Sequence, residues 1–181
     1  WKPAVSFSFD TPSDMEHFRV VEGEWEIRDG ALCAVGGDRN RAVLLAPWDG
    51  GSVRIEFDAT NFSSRGLIGD ITVLIGATPD KNFFGSGYTI TTGSYWNSCT
   101  TAYRLGTAIA NTSWSPVESG RKNHLVVEYD RGHIRYEMNG EILLEAWDPS
   151  PLALTGDRWI GIRTWATLMV VDNVSISKRA E

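Results

Sequence analysis

His124 and Glu128 stand four residues apart in HLVVE, a spacing that puts both side chains on one face of an extended strand. An imidazole beside a carboxylate is the pairing that general acid–base chemistry uses, so these two are the candidate catalytic groups. A second set is aromatic and cationic. Tyr88 opens GYTITTG, Tyr95 and Trp96 lie in GSYWNS, Tyr103 and Arg104 in TAYRLG, and Arg163 and Trp165 in RWIGIRTW. Aromatic side chains present a rigid flat area at little entropic cost, and the apolar face of a sugar ring is flat. A guanidinium supplies a planar fork of donors suited to a pair of hydroxyls or to a carboxylate. The residues between them, Thr89, Thr91, Asn97, Thr101 and Thr164, are the hydroxyl and amide types of a polar site rather than an apolar pocket. The candidate substrate-binding residues are therefore Tyr88, Trp96, Tyr103, Arg104, His124, Arg163 and Trp165, and the partner they suit is an oligo- or polysaccharide. Taken singly, each of these aromatics serves core packing equally well, and Trp25, Trp147 and Trp159 are expected inside or at a sheet edge. Glu128 likewise suits a cross-strand pair with Arg135.

Other chemistries lack their residues. No GxSxG occurs, and GSGY at 85–88 reads as a loop entering a strand, whereas a hydrolase elbow needs a following helix. Three scattered histidines show neither HxH nor HExxH spacing, so no transition-metal site is indicated. Cys33 and Cys99 form no CxxC; two buried thiols or one disulfide both fit. Net charge of -6 without a Lys or Arg run removes the basis for nucleic-acid binding. No apolar run is long enough for a transmembrane segment. A chain opening at Trp1 suits a mature form whose leader has been removed, which sets the expectation of a secreted or periplasmic protein. Asn61, Asn111 and Asn173 each open a glycosylation acceptor pattern.

The elements that must carry these residues are strands. Val5, Phe7 and Phe9 alternate in VSFSFD, and Val53, Ile55, Phe57 and Ala59 alternate with Arg54, Glu56 and Asp58 in SVRIEFDA. LIGDITVLIGA is apolar enough for a central strand. Asp29-Gly30, Asp130-Arg-Gly132 and Asn139-Gly140 mark tight turns, the last two dividing residues 124–147 into a three-stranded meander. Helical periodicity is confined to one turn at TPSDMEHF, with Thr11 or Ser13 as cap. In RWIGIRTW, Ile160, Ile162 and Thr164 share one face and Trp159, Gly161, Arg163 and Trp165 the other. A dozen or so strands over 1–181 must close into a barrel or stack as two sheets, and long strands with one polar face favour a single all-β, two-sheet antiparallel jelly-roll sandwich.

The order of FSFDTPSDMEHFRVVEGEWEIRDGALCA, GYTITTG, HLVVEYDRGHIRYEMNGEILLEAWDPSPL, RWIGIRTW and VVDNVSIS resembles the concanavalin A-like lectin/glucanase superfamily. More narrowly it is similar to bacterial laminin-G-like jelly rolls among sugar-acting proteins, including glycosyl hydrolases of the keto-disaccharide hydrolase type. The resemblance implies a concave sheet whose groove holds saccharide. It also implies a structural calcium at Asp10, the Gly30 carbonyl and Asp172, where local hydrogen bonding is the competing use of both carboxylates. Glucanase members carry Glu-x-Asp-x-x-Glu; here Glu56 and Asp58 are present but Asn61 fills the third acidic position, so that chemistry is not expected on this strand. The expectation is a carbohydrate-binding sandwich. The alternatives are a glycoside hydrolase or polysaccharide lyase using His124, Glu128, Tyr88 or Arg163, and a structural or adhesion module that binds protein.

Overall fold

A computed structural model describes residues 1–36, 40–63, 66, 68–153 and 155–179. Leu67, at the start of the apolar stretch LIGDITVLIGA, lies outside the described residues. Among the described residues fifteen strands follow one another: β1 (Lys2–Phe7), β2 (Arg19–Glu22), β3 (Glu24–Arg28), β4 (Ala31–Val35), β5 (Asn40–Pro47), β6 (Val53–Phe62), β7 (Ile71–Ala77), β8 (Tyr88–Gly93), β9 (Cys99–Arg104), β10 (Thr107–Thr112), β11 (Lys122–Asp130), β12 (His133–Met138), β13 (Glu141–Trp147), β14 (Trp159–Trp165) and β15 (Leu168–Lys178). They form two antiparallel sheets. One has eight strands, in the order β13-β12-β11-β6-β15-β4-β3 with β1 also on β15, and the other has seven, β10-β9-β8-β7-β14-β5-β2. Stacked face to face they make the jelly-roll sandwich that the alternation predicts.

The period-two pattern places the core. Val53, Ile55, Phe57 and Ala59 of β6 face Ile71, Val73 and Ile75 of β7, with Ile90, Ile160 and Ile162, all essentially inaccessible to water. Each fully buried aliphatic or aromatic side chain of this set contributes about 1.5–3 kcal/mol. The tight turns fall where expected: Asp29-Gly30, Arg131-Gly132 and Asn139-Gly140 all take positive φ, the geometry that matches strand twist in two-residue hairpins. The helical turn is a 3-10 turn over Pro12–His17, where the Thr11 N–H donates to Asp14 Oδ2 at 3.3 Å.

β7 is buried on both faces of the seven-stranded sheet, which is why LIGDITVLIGA reads as a largely apolar run. The outer face of the sheet packs Ala42, Leu44, Leu74 and Trp159 beneath Phe83 and Phe84, from the short 3-10 turn Phe83–Gly85. Beyond that cover the same face opens. β14 and β15 adjoin in sequence but belong to different sheets, so the chain crosses between sheets at Ala166-Thr167, with Ala166 at φ 61°. Gly161 serves the neighbouring strand rather than a ligand, since a Cβ there would stand 2.6 Å from the Val43 carbonyl oxygen. Cys33 and Cys99 are buried free thiols in different sheets. Burial raises the Cys33 thiol above its ordinary pKa.

Candidate functional site

Strand pairing sets Thr101, Thr91, Thr72, Arg163 and Ala42 side by side, one from each of β9, β8, β7, β14 and β5. Thr72 Oγ1 donates to Thr91 Oγ1 at 2.8 Å in the middle of this row. Arg163 lies among them, only 8% exposed, and its positive charge is met: Nη1 donates to Asp70 Oδ2 at 2.8 Å and Nε to Asn40 Oδ1 at 2.8 Å. Its guanidinium carbon sits 5.3 Å from the centre of the Phe84 ring, which in turn packs obliquely on Tyr103 with ring centres 5.3 Å apart. Burial and the adjacent Tyr95 raise the Tyr103 hydroxyl to about 12, so it stays protonated throughout the physiological range.

Two adjoining hollows open here. One of about 180 Å³ is lined by Arg163, Thr91, Ser94 and Tyr103, the other of about 200 Å³ by Ile68, Gly93, Trp96 and Ala166, and Asp70, Tyr95 and Trp165 border both. The rim is aromatic and exposed, with Trp165 at 37%, Tyr95 at 68% and Trp96 at 80%. Such display has a backbone cause. Tyr95, Trp96 and Asn97 take left-handed φ values of 49°, 65° and 59° in succession, after Gly93 at 88°. A left-handed non-glycine residue costs about 1–2 kcal/mol, so three in a row persist only where the surroundings hold them. Asn97 Nδ2 donates to the Val117 carbonyl at 2.7 Å, Ser115 Oγ donates to Asn97 Oδ1 at 2.7 Å, and Ser98 Oγ donates to the Tyr95 carbonyl at 2.7 Å.

The floor is pinned from the other sheet. Asn61, buried on the inner face of β6, donates through Nδ2 to the Gly69 carbonyl at 2.9 Å, next to Asp70. Arg41 Nη1 donates to the Thr167 carbonyl at 2.8 Å, fixing the crossover that carries Trp165. Gly69 itself tolerates no side chain, because a Cβ would fall on the Trp165 carbonyl.

Trp96, Tyr103, Arg163 and Trp165 thus come together as the sequence suggests, and three other expected residues do not. Tyr88 points the opposite way from Thr89 and Thr91 into the core; its hydroxyl donates to Asp148 Oδ2 at 2.7 Å and accepts from the Leu152 N–H at 2.9 Å. Burial, above all, drives that hydroxyl far up from the usual phenol range. Arg104 shares Tyr88's face and donates to the same Asp148 oxygen at 2.8 Å, so both clamp the loop after β13. His124 stands on the outer face of the eight-stranded sheet, across the sandwich from Arg163, with Nδ1 2.9 Å from Asp58 Oδ1 and Nε2 3.1 Å from Glu56 Oε1. Glu128 shares that face and pairs with Arg54 at 3.3 Å rather than with Arg135. Glu56 and Asp58 face outward while Asn61 faces the core, so the three do not form one site. Trp25 and Trp159 are buried, and Trp147, 64% exposed, ends the edge strand β13, so the three lie inside or at a sheet edge as expected. Sequence reasoning missed Asp70, Asn40 and Phe84. Only Asp70 left a trace, as the lone acid in LIGDITVLIGA.

A larger hollow, about 680 Å³, lies between residues 114–121 and the β12–β13 turn; Asn97 lines it, but none of the candidate substrate-binding residues does. Its charged groups are partly self-satisfied, Arg121 pairing with Glu118 at 3.0 Å. Of the expected calcium positions Asp172 lies on β15, where β4 pairs up to Val171 and β1 down to Val174, flanking a bulge after Asp172. Asp10 accepts from Ser8 and Asp172 from the Asn173 N–H. Among the described residues no group of three or more His, Cys, Asp or Glu could hold a metal.

No family model matches the chain, and no curated protein sequence matches it. Solved structures do. The carbohydrate binding module CBM66 from Bacillus subtilis superimposes with a TM-score of 0.71 at 18% identity, covering 90% of this chain and 96% of that one. A Bacillus subtilis protein of unknown function with a galectin-like fold gives 0.74 at 15%, covering 98% and 96%. The exoplasmic/lumenal domain of VIP36, in its Ca2+/Man3GlcNAc-bound form, gives 0.67 at 12%, covering 92% and 85%. At these identities the likeness establishes a lectin-like β-sandwich fold.

Proposed function

We propose that this chain is a carbohydrate-binding β-sandwich that engages a saccharide on the outer face of its seven-stranded sheet, the concave sheet of the expectation. The observation that carries the reading is the convergence of Trp96, Trp165, Tyr95, Tyr103 and Arg163 around two adjoining hollows. Aromatic planes at the rim suit ring faces, and the polar row beneath suits hydroxyls. Neighbours of the same fold include a carbohydrate binding module and a lumenal domain solved with Man3GlcNAc, which agrees with this use of the fold. His124 and Glu128 sit in a hydrogen-bonded charge cluster on the far side, which supports a structural rather than catalytic role for them. A secreted or periplasmic location accompanies the proposal. The test is a glycan array followed by calorimetry on the hits, with Trp165→Ala beside the wild type. Binding weakened about tenfold or more by the substitution is expected; an array without a hit overturns the reading.

Calcium is a finer part of the proposal, with a structural role at Asp10, the Gly30 carbonyl and Asp172. It is supported by the convergence of β1 and β4 on the β15 bulge, although these three oxygen donors fall short of the six to eight that calcium takes. Added calcium should raise the melting temperature and Asp10→Asn should abolish the rise; a melting temperature indifferent to calcium and to EDTA removes the ion from the account.

A further inference from the structure

The charge of the pocket says which saccharides it takes, an inference that rests on the carbohydrate-binding reading. Arg163 and Asp70 are 8% and 9% exposed and meet through a single contact, Nη1 to Oδ2, at 2.8 Å. Nε is committed to Asn40. Among the described residues Nη2 of Arg163 and Oδ1 of Asp70 therefore have no hydrogen-bond partner, and both residues line the smaller hollow. A buried ion pair is stable only when its remaining donors and acceptors are satisfied. Here an open donor stands beside an open acceptor at a cavity wall.

No other charged side chain among the described residues borders either hollow, so the described lining pairs one positive charge with one negative charge. A carboxylate or sulfate reaching for Arg163 would meet Asp70 in the same poorly screened surroundings, on a chain whose net charge is already -6. Two neighbouring hydroxyls meet no such penalty. One donates to Oδ1 while the other accepts from Nη2, and each remaining demand of the ion pair is filled. We infer that the site selects an uncharged saccharide that presents a vicinal diol to the Arg163–Asp70 pair and a ring face to Trp165, and that it discriminates against uronic and sulfated sugars.

The measurement is an array of neutral, uronate-containing and sulfated glycans probed with the wild-type protein, with the hits taken to calorimetry at low and high salt. Neutral glycans should bind at least about tenfold more tightly than counterparts oxidised at the hydroxymethyl group, with an affinity that changes less than about twofold with salt. Asp70→Asn, once circular dichroism shows it folded, should lose about tenfold in affinity for the neutral glycan. If Asp70→Asn fails to fold, the wild-type comparison decides alone. Acidic glycans that bind as tightly as neutral ones, with a salt-dependent affinity, overturn the inference and leave carbohydrate binding standing. An array without any hit overturns both.

Discussion

Trp165 is the residue on which the site turns, because it borders both hollows and ends strand β14, beside the sheet crossover, rather than standing on a free loop. Its neighbour in effect is Asn61, which touches no ligand space yet holds the Gly69 carbonyl from the opposite sheet. Asn61→Ala removes that bond and leaves a buried carbonyl unpaired, a loss of about 1–3 kcal/mol in chemical denaturation. Glycan binding should also weaken in this variant, since Asp70 loses its anchor. Unchanged stability would show that the Gly69 carbonyl finds another donor. The same residue bears on the glycosylation pattern: Asn61 is fully buried, whereas Asn111 and Asn173 are exposed.

At the scale of elements, the left-handed turn at residues 94–97 is where local cost and exposed aromatic surface coincide. Trp96→Gly removes an 80% exposed indole and gives the left-handed position the residue that occupies it without a Cβ penalty. Stability should rise by about 1 kcal/mol while glycan affinity falls, a divergence that denaturation and calorimetry would register together; a variant less stable than the wild type would place the turn's cost elsewhere. This turn was not legible in the sequence. GSYWNS shows Tyr95 and Trp96 as loop aromatics, but nothing in the residue types announces three consecutive positive φ values, which follow from tertiary hydrogen bonds to Ser115 and Val117. Strands, hairpins and the inward faces of β6 and β14 were legible, because alternation and Asn-Gly or Asp-Gly turns are local signals. Strand alternation also separated Arg163 and Trp165 from Ile160 and Ile162 correctly. It equally predicts that Tyr88 and Thr89 oppose each other, so the inward turn of Tyr88, away from Thr89 and Thr91, was legible in the sequence as well. The pairing of Arg104 with Asp148 and the placement of His124 across the sandwich depend on which sheet each strand joins, and periodicity carries no such information.

Across the whole molecule, the two outer faces divide their work. One carries the aromatic hollows; the other carries a lattice of charges around β6 and β11. Asp58 lies at the centre of that lattice. Burial pushes its carboxyl up, but hydrogen bonds from Lys122, Asn173 and His124 outweigh burial and bring it from 3.8 to about 2. A carboxylate depressed in the folded state stabilises above its unfolded pKa and loses that contribution as pH falls through the folded one. Acid unfolding should therefore steepen between pH 3.8 and about 2, and Asp58→Asn should flatten the profile in that window. A profile identical to the wild type would remove Asp58 from the acid response. Glycan binding near neutral pH should be indifferent to the same substitution, since Asp58 lies on the opposite face from Arg163.

The most direct test of the central claim follows the indole N–H resonances of the eight tryptophans while a saccharide from the array is titrated in. A site on the outer face of the seven-stranded sheet predicts that the Trp165 and Trp96 signals, assigned by single substitution, move in a saturable manner while those of buried Trp25 and Trp48 stay fixed. Saturable binding by calorimetry with the Trp165 and Trp96 signals unmoved would contradict it.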